Sequence, residues 1–150
     1  MIITPIQIRF SDMDPMRRVN NSVYSSYLEL GRLDFCTKYI SIKTLEDIPF
    51  VLVRVELDII NSLKPNEKAE VHTWVSRIGN TSWDFSANII NPDTKKVYAK
   101  AKTVQVYFDY RLDSKLPIPE EFREILEKEI GLPQRHRDAE EDFKRGNFES

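Results

Sequence analysis

Residues 22–40 carry apolar side chains around most of the circumference of a helix. Tyr24, Leu28, Gly31, Phe35 and Tyr39 recur at helical spacing, and Val23, Tyr27 and Leu30 widen the apolar surface beyond one stripe. A surface helix is wet over much of its circumference, so this one has to be wrapped. Glu29 and Arg32 are its main polar interruption, and their i, i+3 spacing reads as a structural ion pair on one face. Gly31 is unfavourable in a helix interior by about 1 kcal/mol, which is understandable where another backbone packs closely.

The rest of the chain supplies the wrapping. Residues 2–10 alternate Ile6, Ile8 and Phe10 with Gln7 and Arg9, the period of a half-buried strand, with Pro5 at an edge or strand start. Residues 49–61 place Val51, Val53, Val55, Leu57 and Ile59 against Arg54, Glu56 and Asp58. Residues 67–78 set Val71, Thr73, Val75 and Arg77 opposite His72, Trp74 and Ser76. Residues 81–91 gather Trp83, Phe85, Ala87 and Ile89, and residues 96–109 gather Val104, Val106 and Phe108. The breaks at 63–66, Gly79-Asn80 and 91–93 are turn-sized, and strands joined by short turns pair antiparallel. The expected fold is α+β: a five-stranded antiparallel sheet wrapped around one long helix. A short second helix follows Pro117-Ile118-Pro119, with Pro119 at its first position, and stops near Gly131. One helix leaves a sheet edge free, so pairing with a second copy is expected. Residues 1–133 read as one domain. Residues 134–150, mostly charged, read as a tail that is poorly ordered or contacts a neighbouring subunit.

Several function classes fall away on composition. A net charge of −2 offers no bulk attraction to nucleic acid or anionic membrane. No apolar run approaches the roughly 20 residues that span a bilayer, and the first residues show no leader pattern. A single cysteine, Cys36, excludes an intrachain disulfide and reads as a buried inert thiol. A cytoplasmic protein is the expectation. His72 and His136 are the only histidines, and nothing has metal-ligand spacing. No Gly-x-Ser-x-Gly elbow, P-loop or dinucleotide fingerprint is present.

The chemistry concentrates in residues 9–21. Asp14 stands a few residues ahead of a helix start, where Asn20 or Asn21 is the expected cap. The first N–H groups of a helix lack internal partners and carry positive partial charge. A carboxylate base and an anion-stabilising site thus lie close together, and acyl transfer needs both. Asp14 and Asp12 equally suit an Asx-turn or cap, and Asp12 is read as structural or supporting.

The same stretch resembles the signature of the hotdog-fold, 4-hydroxybenzoyl-CoA thioesterase-like family. That family typically reads Arg-Tyr/Phe, three residues, Asp, Ala/Pro, one residue, Gly-His/Ile-Val, Asn-Asn, then Tyr and an acidic helix residue. Arg9, Phe10, Asp12, Asp14, Pro15, Val19, Asn20, Asn21, Tyr24, Tyr27, Glu29 and Arg32 match it. Arg17-Arg18 stand where the family has Gly-His or Gly-Ile. Residues 78–82 resemble its Gly-x-Ser/Thr-Ser turn, and residues 104–109 with Pro117-Ile118-Pro119 its closing strand and exit.

The resemblance implies an acyl-CoA thioester hydrolase with a hotdog fold. Asp14 is then the catalytic base or nucleophile, and the backbone N–H of Asn21 holds the thioester oxygen. It further implies a pocket lined or supported by Asn20, Tyr24 and Tyr27, although buried core tyrosines would read the same. Arg17 and Arg18, where the chain departs from the pattern, read on their own chemistry as a grip on phosphate or an acidic carrier surface, or equally as solvated loop arginines. Glu29 is the reserve catalytic carboxylate. Thr81 and Ser82 read either as ordinary hairpin flanks or as residues that reach a neighbouring subunit's pocket. No metal or redox cofactor is expected beyond CoA or pantetheine in the substrate. The partners expected are a small-molecule acyl thioester and a second copy, as a dimer or dimer of dimers. The alternatives are an acyl-carrier-protein thioesterase and a non-catalytic acyl-thioester-binding module. Hotdog dehydratases use a histidine near the central helix, and residues 1–71 hold none.

Overall fold

The computed structural model describes residues 1–131. The expected tail at 134–150 lies outside the described residues. In chain order come β1 (Ile2–Ile6), α1 (Val23–Tyr39), β2 (Phe50–Ile59), β3 (Ala69–Ile78), β4 (Ser82–Ile90), β5 (Val97–Asp109), β6 (Ser114–Lys115) and α2 (Glu120–Lys128). The sheet is antiparallel with order β1-β3-β4-β5-β2, and short β6 adds to the end of β5. It curls around α1, which lies chiefly on β1, β3 and β4. This is the hotdog layout, with a sixth short strand that periodicity did not reveal. Among the described residues no helix is long and apolar enough to cross a membrane.

The core falls into two clusters along α1. Around its first half, Tyr24, Tyr27 and Leu28 pack with Leu63, Ala69, Val71, Ile89 and Tyr98. Around its second half, Phe35 and Cys36 pack with Val75, Trp83, Phe85 and the α2 residues Phe122 and Leu126. Trp83, Phe85, Ala87 and Ile89 all join these clusters, as their alternation predicts. Burial pushes the Cys36 thiol up to about 12, so it stays protonated and inert near neutral pH. Gly31 is the point of closest approach between helix and sheet. A Cβ built there would meet Thr73 Oγ1 at 2.4 Å and Val71 Cγ1 at 3.2 Å.

Four expectations are corrected. The described residues do not wrap α1 on most sides: its buried residues Tyr24, Tyr27, Leu28, Gly31, Arg32, Phe35 and Cys36 form one face, while Leu30 is exposed and Val23 and Tyr39 are only partly buried. Strand β1 ends at Ile6 rather than residue 10, because Phe10–Asp12 form a 3₁₀ turn that lifts the chain off the sheet, leaving Phe10 96 % exposed. The alternation of β2 does not give one buried face. A bulge between Leu52 and Arg54 breaks its register with β5, and Leu52, Val53, Val55 and Ile59 are all exposed. Pro119 is the N-cap of α2 rather than its first helical residue.

Candidate active site

The segment before α1 closes on itself. Met13 and Val19 form an isolated antiparallel bridge, and the Val19 N–H donates to Leu63 O at 2.9 Å, pinning the loop to the core. At the tip, the Asp14 N–H donates to Arg18 O at 2.8 Å, and the Arg17 N–H to Asp14 O at 3.1 Å. Arg17 takes φ +58°, the left-handed conformation that glycine adopts without cost. Arginine thus carries a backbone strain here that the glycine of the family pattern would not.

Asp14 sits half-buried on this tip. Its Oδ1 accepts the N–H groups of Met16 at 2.9 Å and Arg18 at 3.1 Å, an Asx-type turn that fixes the carboxylate. No described residue donates to Oδ2. The structural reading of Asp14 thus holds for one oxygen, while the other stays open to water or substrate. Arg17 and Arg18 are exposed beside it and join no ion pair with a described residue.

Asp12 does different work. It is buried, and its carboxylate accepts the Arg9 N–H at 2.9 Å, the Arg9 Nη2 at 2.9 Å and the Tyr27 hydroxyl at 2.7 Å. Burial alone would raise its pKa, but the donors from Arg9 and Tyr27 outweigh it and hold the carboxyl below its ordinary value. Burial first, then Asp12, pushes Tyr27 well above the usual phenol range. Asp12 therefore anchors the loop to α1, as its supporting reading expects.

At the helix start the structure moves the cap. The N-cap is Ser22, not Asn20 or Asn21, and its own side chain makes no capping bond. Asn20 Oδ1 instead accepts both Ser22 N–H, at 3.1 Å, and Ser22 Oγ, at 3.0 Å, while Asn20 O accepts the Val23 N–H at 2.9 Å. Asn21 is exposed, and its backbone N–H donates to no described residue. One open carboxylate oxygen and one open N–H, one residue ahead of the helix cap, thus belong to the same short segment.

The remaining candidates are dispersed. Tyr24 and Tyr27 are core residues within one chain, and the Tyr24 hydroxyl accepts the Leu63 N–H at 3.1 Å. Thr81 and Ser82 lie at the other end of the sheet. The Thr81 carbonyl accepts the Tyr107 N–H at 2.8 Å, and Ser82 Oγ accepts from Arg77 Nη2 at 2.9 Å. Strand β3 runs between the two ends, about 30 Å for ten residues, so one chain does not bring them to Asp14. Glu29 is exposed and Arg32 buried, and no ion pair within 4.0 Å joins them, although the Glu29 charge still favours the Arg32 cation from a distance. The burial of Arg32 had no signal in sequence, because i, i+3 spacing looks the same on a wet face and a covered one. Among the described residues no group of three or more His, Cys, Asp or Glu side chains is placed to hold a metal ion.

The sequence profile described as the thioesterase-like superfamily matches residues 8–126, from before the Asp14 loop to the end of the sheet and into α2. The chain belongs to this superfamily. Among solved structures it resembles one of a predicted thioesterase from Bacillus stearothermophilus. The two share 27 % identity and a TM-score of 0.80, over 88 % of this chain and 98 % of that one. It also resembles a Thermus thermophilus thioesterase complexed with coenzyme A and Zn, at 28 % identity and TM-score 0.74, over 83 % of this chain and 96 % of that one. A 1,4-dihydroxy-2-naphthoyl-CoA thioesterase from Synechocystis shares the fold at 14 % identity and TM-score 0.73, over 83 % of this chain and 94 % of that one. No curated protein matches the sequence. Family and fold support thioester hydrolysis as the general activity.

Proposed function

We propose that this chain hydrolyses acyl-CoA thioesters, with Asp14 as the reacting carboxylate. The observation that carries the reading is the division of labour within Asp14: Oδ1 is held by two backbone N–H groups and Oδ2 is open. As a base, Oδ2 takes a proton from the water that attacks the thioester carbonyl. As a nucleophile, it attacks that carbon itself and water later cleaves the anhydride. In either route the free N–H of Asn21 meets the carbonyl oxygen as it gains charge, which favours the transition state over the ground state. The C–S bond then breaks and the CoA thiolate leaves to be protonated. Arg17 and Arg18 are cations at the rim, suited to CoA phosphates.

The active unit in this reading is a homodimer, extendable to a dimer of dimers. Strand β2 is a ten-residue edge with exposed Leu52, Val53, Val55 and Ile59, the kind of edge that proteins cover. A twofold pairing of β2 reverses the second chain, so that opposite ends of the two sheets become neighbours. That arrangement suits a site between subunits, with Thr81 and Ser82 of one chain toward Asp14 of the other. Residues 1–133 would act as the single domain, in a cytoplasmic setting where CoA thioesters are met.

A carrier-protein thioester is the second substrate reading. It is favoured by Phe10 and Met16, 96 % and 74 % exposed, beside the cations Arg9, Arg17 and Arg18. Such a basic, apolar rim suits an acidic protein surface better than free CoA alone.

The deciding experiment is free-thiol release from acyl-CoAs of short, medium, long and aromatic acyl groups, and from acyl carrier protein, with wild type beside Asp14→Asn. Turnover lost in the variant supports the assignment. Binding without turnover in wild type makes the chain a binding module and overturns it.

A further inference from the structure

A cavity of about 220 Å³ opens between α1 and the start of the β2 edge, lined by Glu29, Arg32, Leu33, Ile48, Phe50, Leu52 and Tyr110. Arg32 is only 8 % exposed, and its guanidinium neither pairs with a carboxylate nor donates a hydrogen bond to any described residue. Burial lowers the pKa of that charge, and of the described residues Glu29 on the same helix acts most against the burial, favouring the cation from a distance. Other acids on β2 and in the segment before it are engaged elsewhere. Glu56 pairs with Arg54, and Glu46 and Asp47 pair with Arg111. Glu29 lines the same cavity, is exposed, and joins no ion pair within 4.0 Å with a described residue, Arg32 included.

The helix thus presents an exposed anion and a largely buried cation one turn apart with no ion pair between them, beside a strand edge that no described strand covers, with exposed Leu52 and Val53. That pattern is self-complementary. In an isologous interface residue i of one copy meets j of the other while j meets i, so two antiparallel copies of one such face pair both charges at once. We propose that in a twofold dimer of this chain Arg32 of each subunit pairs with Glu29 of the partner, closing the cavity with two reciprocal ion pairs. The occupant of this face is a second copy because its charge pattern is complementary to itself. The cavity wall is incomplete without that copy.

The inference rests on the dimer proposed above, and the test separates the two. Sedimentation velocity on the full chain reads the oligomeric state of wild type, Glu29→Arg, Arg32→Glu and the double exchange. Wild type is expected to be dimeric at micromolar concentration. Each single reversal places two like-charge pairs in its own homodimer and should weaken it at least tenfold. The double exchange should restore the homodimer. Differently tagged Glu29→Arg and Arg32→Glu chains, co-expressed, should be recovered as a one-to-one heterodimer, since both cross-pairs are then opposite in charge. A pair confined within one helix would be restored by the double exchange but not by mixing. A monomeric wild type overturns the dimer and the pair together. A dimeric wild type whose single reversals still self-associate, or whose two reversed chains form no heterodimer or stay insoluble together, leaves the dimer and overturns the pair. So does a rise in KM with an unchanged dimer, which would give Arg32 to an anionic substrate group instead.

Discussion

The Cβ that Gly31 lacks would stand 2.4 Å from Thr73 Oγ1, so helix α1 and strand β3 meet as closely as a glycine permits. Thr73 Oγ1 is itself buried without a hydrogen-bond partner among the described residues. The contact is steric and not a bond, which makes its removal testable from both sides.

Gly31→Ala should destabilise the fold even though alanine is the better helix former by about 1 kcal/mol. Overpacking typically costs about 1–3 kcal/mol, and here the obstacle is a β-branched side chain with little rotamer freedom. Thr73→Ala removes the atom at 2.4 Å and leaves Val71 Cγ1 at 3.2 Å. Urea unfolding of the two single variants and the double should show the double less destabilised than the sum. Additive values would mean that the two elements move apart freely.

Asp12 and Asp14 should separate stability from catalysis. Asp14→Asn keeps an Oδ1 acceptor for Met16 and Arg18, so the loop should hold while kcat falls by about 10²–10⁴. Asp12→Asn discharges a buried acceptor of Arg9 and Tyr27 and should cost about 1–3 kcal/mol of stability. Paired denaturation and thiol-release assays check both. Retained turnover in Asp14→Asn would transfer the role to another carboxylate, with Glu29 first in line.

Glu129 makes acid stability a second readout. Burial would raise its pKa, but Lys38, the Met1 ammonium and the Tyr39 hydroxyl all bond the carboxylate and bring it to about 2, from an ordinary 4.5. A carboxyl depressed on folding stabilises the native state fully above its unfolded pKa and loses that contribution as pH falls through the folded one. The advantage of wild type over Glu129→Gln should therefore be steady above pH 4.5 and shrink toward pH 2. Melting temperatures of both proteins across that range measure it. A difference that stays constant would mean that Glu129 does not ionise differently on folding.

How much of this was legible in sequence depends on how far apart the interacting residues lie. The presence of helix α1 and the inward face of β4 follow from local periodicity. The extent of the helix's cover does not, since Leu30 is exposed, and the close packing at Gly31 follows from a glycine in a helix interior. Phe10 misleads because the hydrogen bonds of Asp12 to Arg9 turn the chain before the alternation can continue. The edge strand β2 misleads because its exposed valines have no cover within one chain. The placement of Tyr24 and Tyr27 depends on partners 39 and 15 residues away, Leu63 and Asp12, and the burial of Arg32 on the packing of a distant strand. For the site, the loop and its carboxylate were readable from the motif, but the opposite fates of the two Asp14 oxygens were not.

Arg17 and Arg18 carry the last prediction, because they are where the chain departs from the family pattern. With φ at +58°, Arg17 pays a backbone strain of about 1–2 kcal/mol that glycine would not. Glycine also loosens the unfolded chain by about 0.5–1 kcal/mol, so Arg17→Gly should leave stability nearly unchanged or slightly higher. Arg17→Val, β-branched in the same conformation, should cost more than either. If the side chain instead earns its place by binding phosphate, Arg17→Gly with Arg18→Gln should raise KM for an acyl-CoA several-fold, most at low salt, with kcat within about twofold. The Arg18 N–H that holds Asp14 is backbone and survives the change. An unchanged KM across salt concentrations would remove the phosphate grip and leave Arg17 as a strained residue with no role in binding.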